Sequence, residues 1–222
     1  MDWQALLLSL RLAAWTVVVL LPVAIFFGRF LAFQQFRGKG AVEALVILPL
    51  VLPPTVLGFY LLVAFGAASP VGKVWQMLFD GPLVFSFSGL VVASVLFNLP
   101  FAIQPAQRGF EAVPVEVREA AACCGMSPMQ ALRRVELPLA WPGVLTGMVL
   151  TFAHTLGEFG IVLMVGGAIP GETRTIAIAI YDRVQSFDMA GAAQMSAVLL
   201  AISLSTIAVT FWLSTRAGRR LS

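Results

Sequence analysis

Five stretches of this sequence run without a single charged side chain: 12–28, 44–72, 81–107, 137–157 and 189–215. Each approaches or exceeds the roughly 20 apolar residues that a membrane-crossing helix needs. A water-soluble domain needs charge at much shorter intervals. With 59% hydrophobic and 11% charged residues, a soluble packed core is excluded. The 222 residues therefore predict one all-α integral membrane domain with about five spans, at 9–33, 43–66, 86–107, 138–164 and 190–215. Little chain is left over for a folded domain outside the membrane. A sixth span would require 175–186 to cross, which Asp182 and Arg183 make expensive. The segment 165–188 is instead expected to form an outer lid or re-entrant helix.

The net charge of +3 is distributed beside the spans rather than in one basic patch, so it reads as a topology signal and not as a nucleic-acid surface. Arg29, Arg37 and Lys39 follow span one. Arg108, Arg118, Arg133 and Arg134 follow span three, and Arg216, Arg219 and Arg220 close the chain. These are ten of the fourteen basic residues, and they place the N-terminus outside and the C-terminus in the cytoplasm. The first apolar run has no basic segment before it and is too long for a signal peptide, so it is expected to be a retained span. Cys123 and Cys124 are adjacent and cannot build an ordinary disulfide framework.

Pro49, Pro53 and Pro54 lie inside the second span, and Asn98 and Pro100 inside the third. Proline removes a backbone donor and strands a carbonyl where lipid offers no partner. A single such proline is compatible with a packing kink. The Pro49, Pro53, Pro54 cluster is expected to bend its span and shape a pathway.

The most informative segment, 111–137, is too polar to span and too long for a simple turn. Pro114 suits the start of a helix over Val115 to Cys124 that Gly125 ends. Ser127, Pro128 and Gln130 then make a capping-box pattern that starts a second helix through Arg134, with Pro138 expected to stop it. Taken alone, this is compatible with an amphipathic loop resting on the membrane surface. However, Glu119-Ala120-Ala121, three residues, Gly125, nine residues, Val135, one residue, Leu137-Pro138 resembles the EAA motif of the permease subunits of binding-protein-dependent ABC importers, with Val where Ile is commoner. The resemblance implies a cytoplasmic coupling loop, in which Glu119, Ala120, Ala121, Gly125, Leu137 and Pro138 engage a separate ATPase. No phosphate-cradling G-x-x-x-x-G-K-[ST] sequence is present, so the chain is expected to hold no cofactor, with ATP and Mg bound by the partner.

Two further segments, LPLVLPPTVLG at 48–58 and LGEFGIVLMVGGAIPGETRT at 156–175, resemble molybdate/tungstate importer permeases. Sulfate/thiosulfate permeases are the neighbouring alternative. The resemblance implies a homodimer with two ATPase subunits and an oxyanion-binding protein, in the inner membrane, carrying molybdate or tungstate. Pathway or gate candidates are Pro49, Pro53, Pro54, Asn98, Glu158, Phe159 and Gly160. On the outer side, Gly166, Gly167, Gly171 and Arg174 offer a mouth for the oxyanion or a contact for the binding protein. The alternative there is a tight turn with a solvated arginine.

His154 and Glu158 stand four residues apart on one predicted helical face, roughly 30 Å above Pro138 at about 1.5 Å per residue. A hydrogen bond or ion pair between them is expected, with Glu158 near the outer interface and not buried. One histidine and one carboxylate do not complete a zinc site, which makes an intramembrane enzyme using His154 and Glu158 a remote reading. No metal site and no catalytic residue is expected. A channel working alone would leave the coupling loop without a purpose.

Overall fold

The computed structural model describes the backbone of residues 1–218 and the side chains of residues 1–208. Of the charges used above for orientation, the Arg216 side chain and Arg219 and Arg220 lie outside the described residues. All regular structure among the described residues is helical: α1 (Trp3–Phe33), α2 (Lys39–Val51), α3 (Pro54–Phe65), α4 (Pro70–Phe79), α5 (Phe87–Glu111), α6 (Val115–Cys123), α7 (Pro128–Ala131), α8 (Leu137–Gly157), α9 (Gly160–Gly166), α10 (Ile176–Gln185) and α11 (Met189–Gly218). α7 runs into α8 through a π-helical turn, Leu132–Glu136. Four helical runs are long and apolar enough to cross a membrane. The α2–α3 pair, bent by 108° at its break, meets the same criterion only when its two helices are taken together.

That bend follows from the two consecutive prolines. A residue before proline is driven out of the α region, and both Leu52 (ψ 138°) and Pro53 (ψ 134°) are extended. Pro54 then opens α3 at the position where its missing N–H costs nothing. Pro49, by contrast, stays within α2. The linker after α3 forms an additional short helix, α4, capped by the Ser69 hydroxyl, which accepts from the Gly72 N–H at 2.9 Å.

α1, α5 and α8 make the central packing unit. Its core is built from small and branched residues, among them Leu20, Ala24, Ala102, Ala106, Val144 and the fully buried Phe110. Small residues let the backbones approach, which is how helices associate where lipid removes the hydrophobic driving force between them. A Cβ on Gly143 would lie 2.5 Å from the Pro105 carbonyl and 2.7 Å from Gly109 Cα. A second cluster joins Leu61 and Phe65 of α3 to Ile161 and Val165 of α9, with Ala93 and Phe97 of α5.

α10, the expected lid, is docked against the bundle rather than free. Its Ile176 N–H donates to the Ser9 hydroxyl at 2.8 Å, and Ile176 and Ala179 are buried with Ala5, Leu6 and Met195. The Asp188 carboxylate caps α11 by accepting from the Gly191 N–H at 2.9 Å and also pairs with Arg183. That backbone hydrogen bond, followed by the Arg183 guanidinium, holds the Asp188 pKa below the usual carboxylate value. The sign follows: its contribution is present above the unfolded carboxylate pKa and is lost as pH falls through the lowered folded one. An Asp188→Asn variant is therefore expected to melt with less dependence on pH in the acid range than the native chain, measured by circular dichroism in detergent.

Candidate functional site

Two ends of the bundle can be told apart by their contacts. At one end Arg29 reaches Glu136, Gln107 donates to Glu43 at 3.0 Å, and Phe33 packs edge-on to Phe110. At the other, Arg174 pairs with Asp2 and Asp182. The elbow 111–137 sits at the first end, together with Arg37, Lys39 and Arg108, which are the charges that the topology argument groups on one side.

The elbow is built as two helices and a turn. Gly125 has φ +71°, in the left-handed region, and its N–H and that of Met126 close onto Ala122 and Ala121 carbonyls, stopping α6. Ser127 and Gln130 exchange both capping-box hydrogen bonds, at 3.3 and 2.9 Å, to start α7. Glu119, Ala120 and Gly125 are exposed, Ala121 is buried, Leu137 is half-buried and Pro138 exposed. α6 thus presents Glu119 and Ala120 outward while Ala121 turns inward.

Pro138 does not stop the second helix. The helix continues from Pro128 to Gly157 because the ladder slips to a π turn just before the proline, and the Leu137 N–H bonds to the Leu132 carbonyl five residues back. The absent donor of Pro138 falls where the regular ladder is already interrupted.

What holds the elbow to the bundle is a residue that the sequence pattern did not single out. Glu136 is only 3% exposed. Its carboxylate accepts from Arg29 Nε at 2.5 Å and from Arg29 Nη2 at 3.1 Å, while Arg118 Nε stands 3.9 Å away. The Arg118 guanidinium lies 3.5 Å over the Phe33 ring. A carboxylate beside an apolar span, with arginines closing another span, is the signal from which this hub was readable.

The second constellation forms where two interrupted helices cross. α8 ends at Gly157, Glu158 is extended (ψ 129°), and α9 restarts at Gly160. A Cβ on Gly160 would lie 2.9 Å from Pro54 Cβ, and one on Gly58 would lie 2.9 Å from Met164 Cβ. The structure therefore brings Pro54 and Gly160, expected only as separate gate candidates, into contact.

The expected His154–Glu158 pair does not form, because the helix ends between them. Glu158 is buried and its carboxylate accepts from the Ile161 N–H at 2.9 Å, which caps α9, so it is not the exposed interfacial group anticipated. His154 Nδ1 faces Asn98 Oδ1 at 3.1 Å, and its ring is stacked with Phe101, centroids 4.1 Å apart. Since the Asn98 amide donates to the Ser94 carbonyl at 2.8 Å, its oxygen is left as acceptor and His154 Nδ1 is the donor. Asn98 is fully buried in this pairing. Among the described residues no three of His, Cys, Asp and Glu come together as metal ligands.

The outer candidates are occupied by packing. Arg174 binds Asp182 at 2.9 Å and Asp2 at 3.4 Å, so its charge is already compensated. Gly166 meets Leu90, and Gly167 and Gly171 take φ +66° and +80° in the turn leading to α10.

Residues 24–219 match the family of binding-protein-dependent transport system inner membrane components. The chain belongs to this family. The molybdenum transport system permease protein ModB of Azotobacter vinelandii is 50% identical over 86% of this chain and 84% of its own length. The sulfate transport system permease protein CysT of Escherichia coli is 33% identical over 84% of this chain and 67% of its own. Among solved structures, a bacterial ABC transporter involved in import of the acidic polysaccharide alginate superposes with a TM-score of 0.77 at 16% identity, over 96% of this chain and 78% of that one. That likeness shows the fold, an all-helical one shared with this ABC transporter. The chain is a multi-pass inner membrane transport component.

Proposed function

We propose that this permease subunit carries molybdate or tungstate through an ATP-driven importer, as one half of a homodimer. The observation that carries the cargo reading is the 50% identity, across most of both chains, with a molybdenum transport permease. Identity with a sulfate transport permease is lower, at 33%, which makes sulfate the second reading. In this reading the N-terminus faces outward and the elbow faces the cytoplasm. ATP and Mg belong to two partner ATPase subunits, and a binding protein delivers the oxyanion on the outer side.

The exposed face of α6, with Glu119 and Ala120, and the Gly125 turn form the handle for the ATPase, with Leu137 and Pro138 at its root. The path runs between the two copies beside α2, which buries no residue within its own chain. The breaks at Pro53–Pro54 and at Glu158, Phe159 and Gly160 form the gate, since helices interrupted inside the membrane are tolerated where they line a cavity. Asn98 and Pro49 support it from α5 and α2. Gly166, Gly167, Gly171 and Arg174 shape the outer surface on which the binding protein docks. ATP binding drives the cycle only if it favours one arrangement of the elbows over the other.

Transport is tested by reconstituting the permease with its ATPase and binding protein and following labelled molybdate, with sulfate as competitor. ATP-dependent molybdate uptake that excess sulfate leaves intact supports the cargo reading. Equal competition by sulfate would replace it. At the turn, no atom lies within 4 Å of a Cβ placed on Gly125. Gly125→Ala is therefore expected to cost about 1 kcal/mol through its left-handed φ alone. Gly125→Trp is expected to abolish uptake in a permease that still inserts. Normal uptake and ATPase assembly in that variant would remove the coupling role from the elbow.

A further inference from the structure

α1 projects beyond its neighbour α5 at its N-terminal end. α5 begins only at Phe87, whose ring lies against the Arg11 guanidinium, so roughly two turns of α1 stand above the start of α5. A notch of about 490 Å³ opens there. Trp3, Gln4 and Leu7 line it along one stripe of α1, Arg11 and Phe87 close its foot, and Glu172 faces them from the turn that leads to α10.

The notch is lined by one positive and one negative group that do not neutralise each other. The Arg11 guanidinium is held 4.6 Å over the Phe87 ring. Arg11 and Glu172 are both exposed and, among the described residues, neither has an opposite charge within ion-pair distance. Asp2, next to Trp3, is committed to Arg174. The depth of the notch is that of a headgroup layer. Arg11 and Arg29 are the only charged residues of α1, and at about 1.5 Å per residue they stand about 27 Å apart, against a hydrocarbon core about 30 Å thick. Helical side chains lean toward the N-terminus, so the Arg11 guanidinium points out of that core and into the notch. Trp3, 66% exposed, lies about 12 Å further out, where interfacial aromatics collect. Below Arg11 the same face of α1 continues with the exposed Trp15 and Val18, an apolar surface for an acyl chain.

We infer that this notch binds a zwitterionic aminophospholipid of the leaflet at the N-terminal end of α1, with its phosphate on Arg11 and its ammonium on Glu172. Guanidinium takes phosphate in fork geometry, and a primary ammonium gives a carboxylate charge-assisted hydrogen bonds. An anionic headgroup without a cation would leave Glu172 unpaired beside a like charge. A quaternary ammonium would bring charge but no hydrogen bond. The bound headgroup ties α1 to the turn before α10, which the Ser9 hydroxyl and the Gln4 side chain already meet from α1.

The test places the full-length permease in nanodiscs of phosphatidylethanolamine, phosphatidylcholine and phosphatidylglycerol in equal parts. Retained lipid is counted by native mass spectrometry after detergent extraction. Phosphatidylethanolamine is expected to be retained over the other two. Arg11→Gln should lower its retention about fivefold. Glu172→Gln should cancel the preference and raise phosphatidylglycerol at least to the level of phosphatidylethanolamine. Both side chains are exposed and unpaired, so these variants are expected to fold. Leu7→Trp, which fills the notch and leaves both charges in place, should displace the lipid as well. Equal retention of the three lipids, or a preference that survives Glu172→Gln, would overturn the site. So would variants that keep phosphatidylethanolamine but lose stimulation of ATP hydrolysis by the binding protein, since the two charges would then belong to a protein contact. Lipid retention is read whichever anion is carried, so the result stands apart from the cargo assignment.

Discussion

Glu136→Ala is expected to lower the melting temperature of the detergent-solubilised permease by the equivalent of about 3 kcal/mol and to reduce uptake per ATP hydrolysed in the assembled importer. The Glu136 side chain is 4% exposed and that of Arg29 is 30% exposed, so removing the carboxylate leaves one partly sheltered guanidinium without its counter-ion. Breaking a fully buried pair costs about 3–5 kcal/mol, and the partial exposure of Arg29 puts the effect at the lower end. Arg118, now 3.9 Å from Glu136, would keep only its stacking on Phe33. Glu136→Gln retains one acceptor and should fall between the native chain and the alanine variant. The coupling effect is separated from the stability effect by Arg29→Met with Glu136→Met. This pair removes both charges and should restore much of the melting temperature without restoring transport efficiency. A melting temperature and an uptake ratio unchanged by Glu136→Ala would show that the elbow is held by something else.

Gly143→Val should prevent stable folding. A Cβ at Gly143 would fall 2.5 Å from the Pro105 carbonyl oxygen, 2.7 Å from Gly109 Cα and 2.9 Å from Gly109 N. All three are backbone atoms of α5, so no side chain can rotate away and the helices themselves must separate. Overpacking ordinarily costs about 1–3 kcal/mol, and here it also loosens the α5–α8 contacts around Val144 and Met148. Gly40→Val is the matched control. Gly40 also lies in a helix, and nothing stands within 4 Å of its Cβ. Monodisperse protein should be recovered by size exclusion for Gly40→Val and not for Gly143→Val. Recovery of both would mean that α5 and α8 pack less closely than 2.5 Å implies.

Much of this architecture is legible in the sequence. Uncharged runs long enough to cross a bilayer dictate helices, because lipid leaves backbone donors and acceptors no partner outside the chain. The Pro53–Pro54 pair forces a break through the sterics of the preceding residues, and Ser127 with Gln130 marks a helix start. These are local effects, determined within four or five residues. Pro138 marks the limit of local effects: a proline in a helical run predicts a stop, yet a π turn upstream absorbs its missing donor and the helix continues.

The sequence by itself determined the membrane class, the all-helical fold, the elbow and the family, because these rest on hydropathy and short-range stereochemistry. Only the tertiary structure decided which residues meet. It joined Glu136 to Arg29 across 107 positions, set His154 against Asn98 rather than Glu158, brought Gly160 onto Pro54, and compensated Arg174 with Asp2 and Asp182. Such pairings depend on how helices cross, and a crossing is set by close backbone approach at small residues far apart in the chain, which no local pattern encodes.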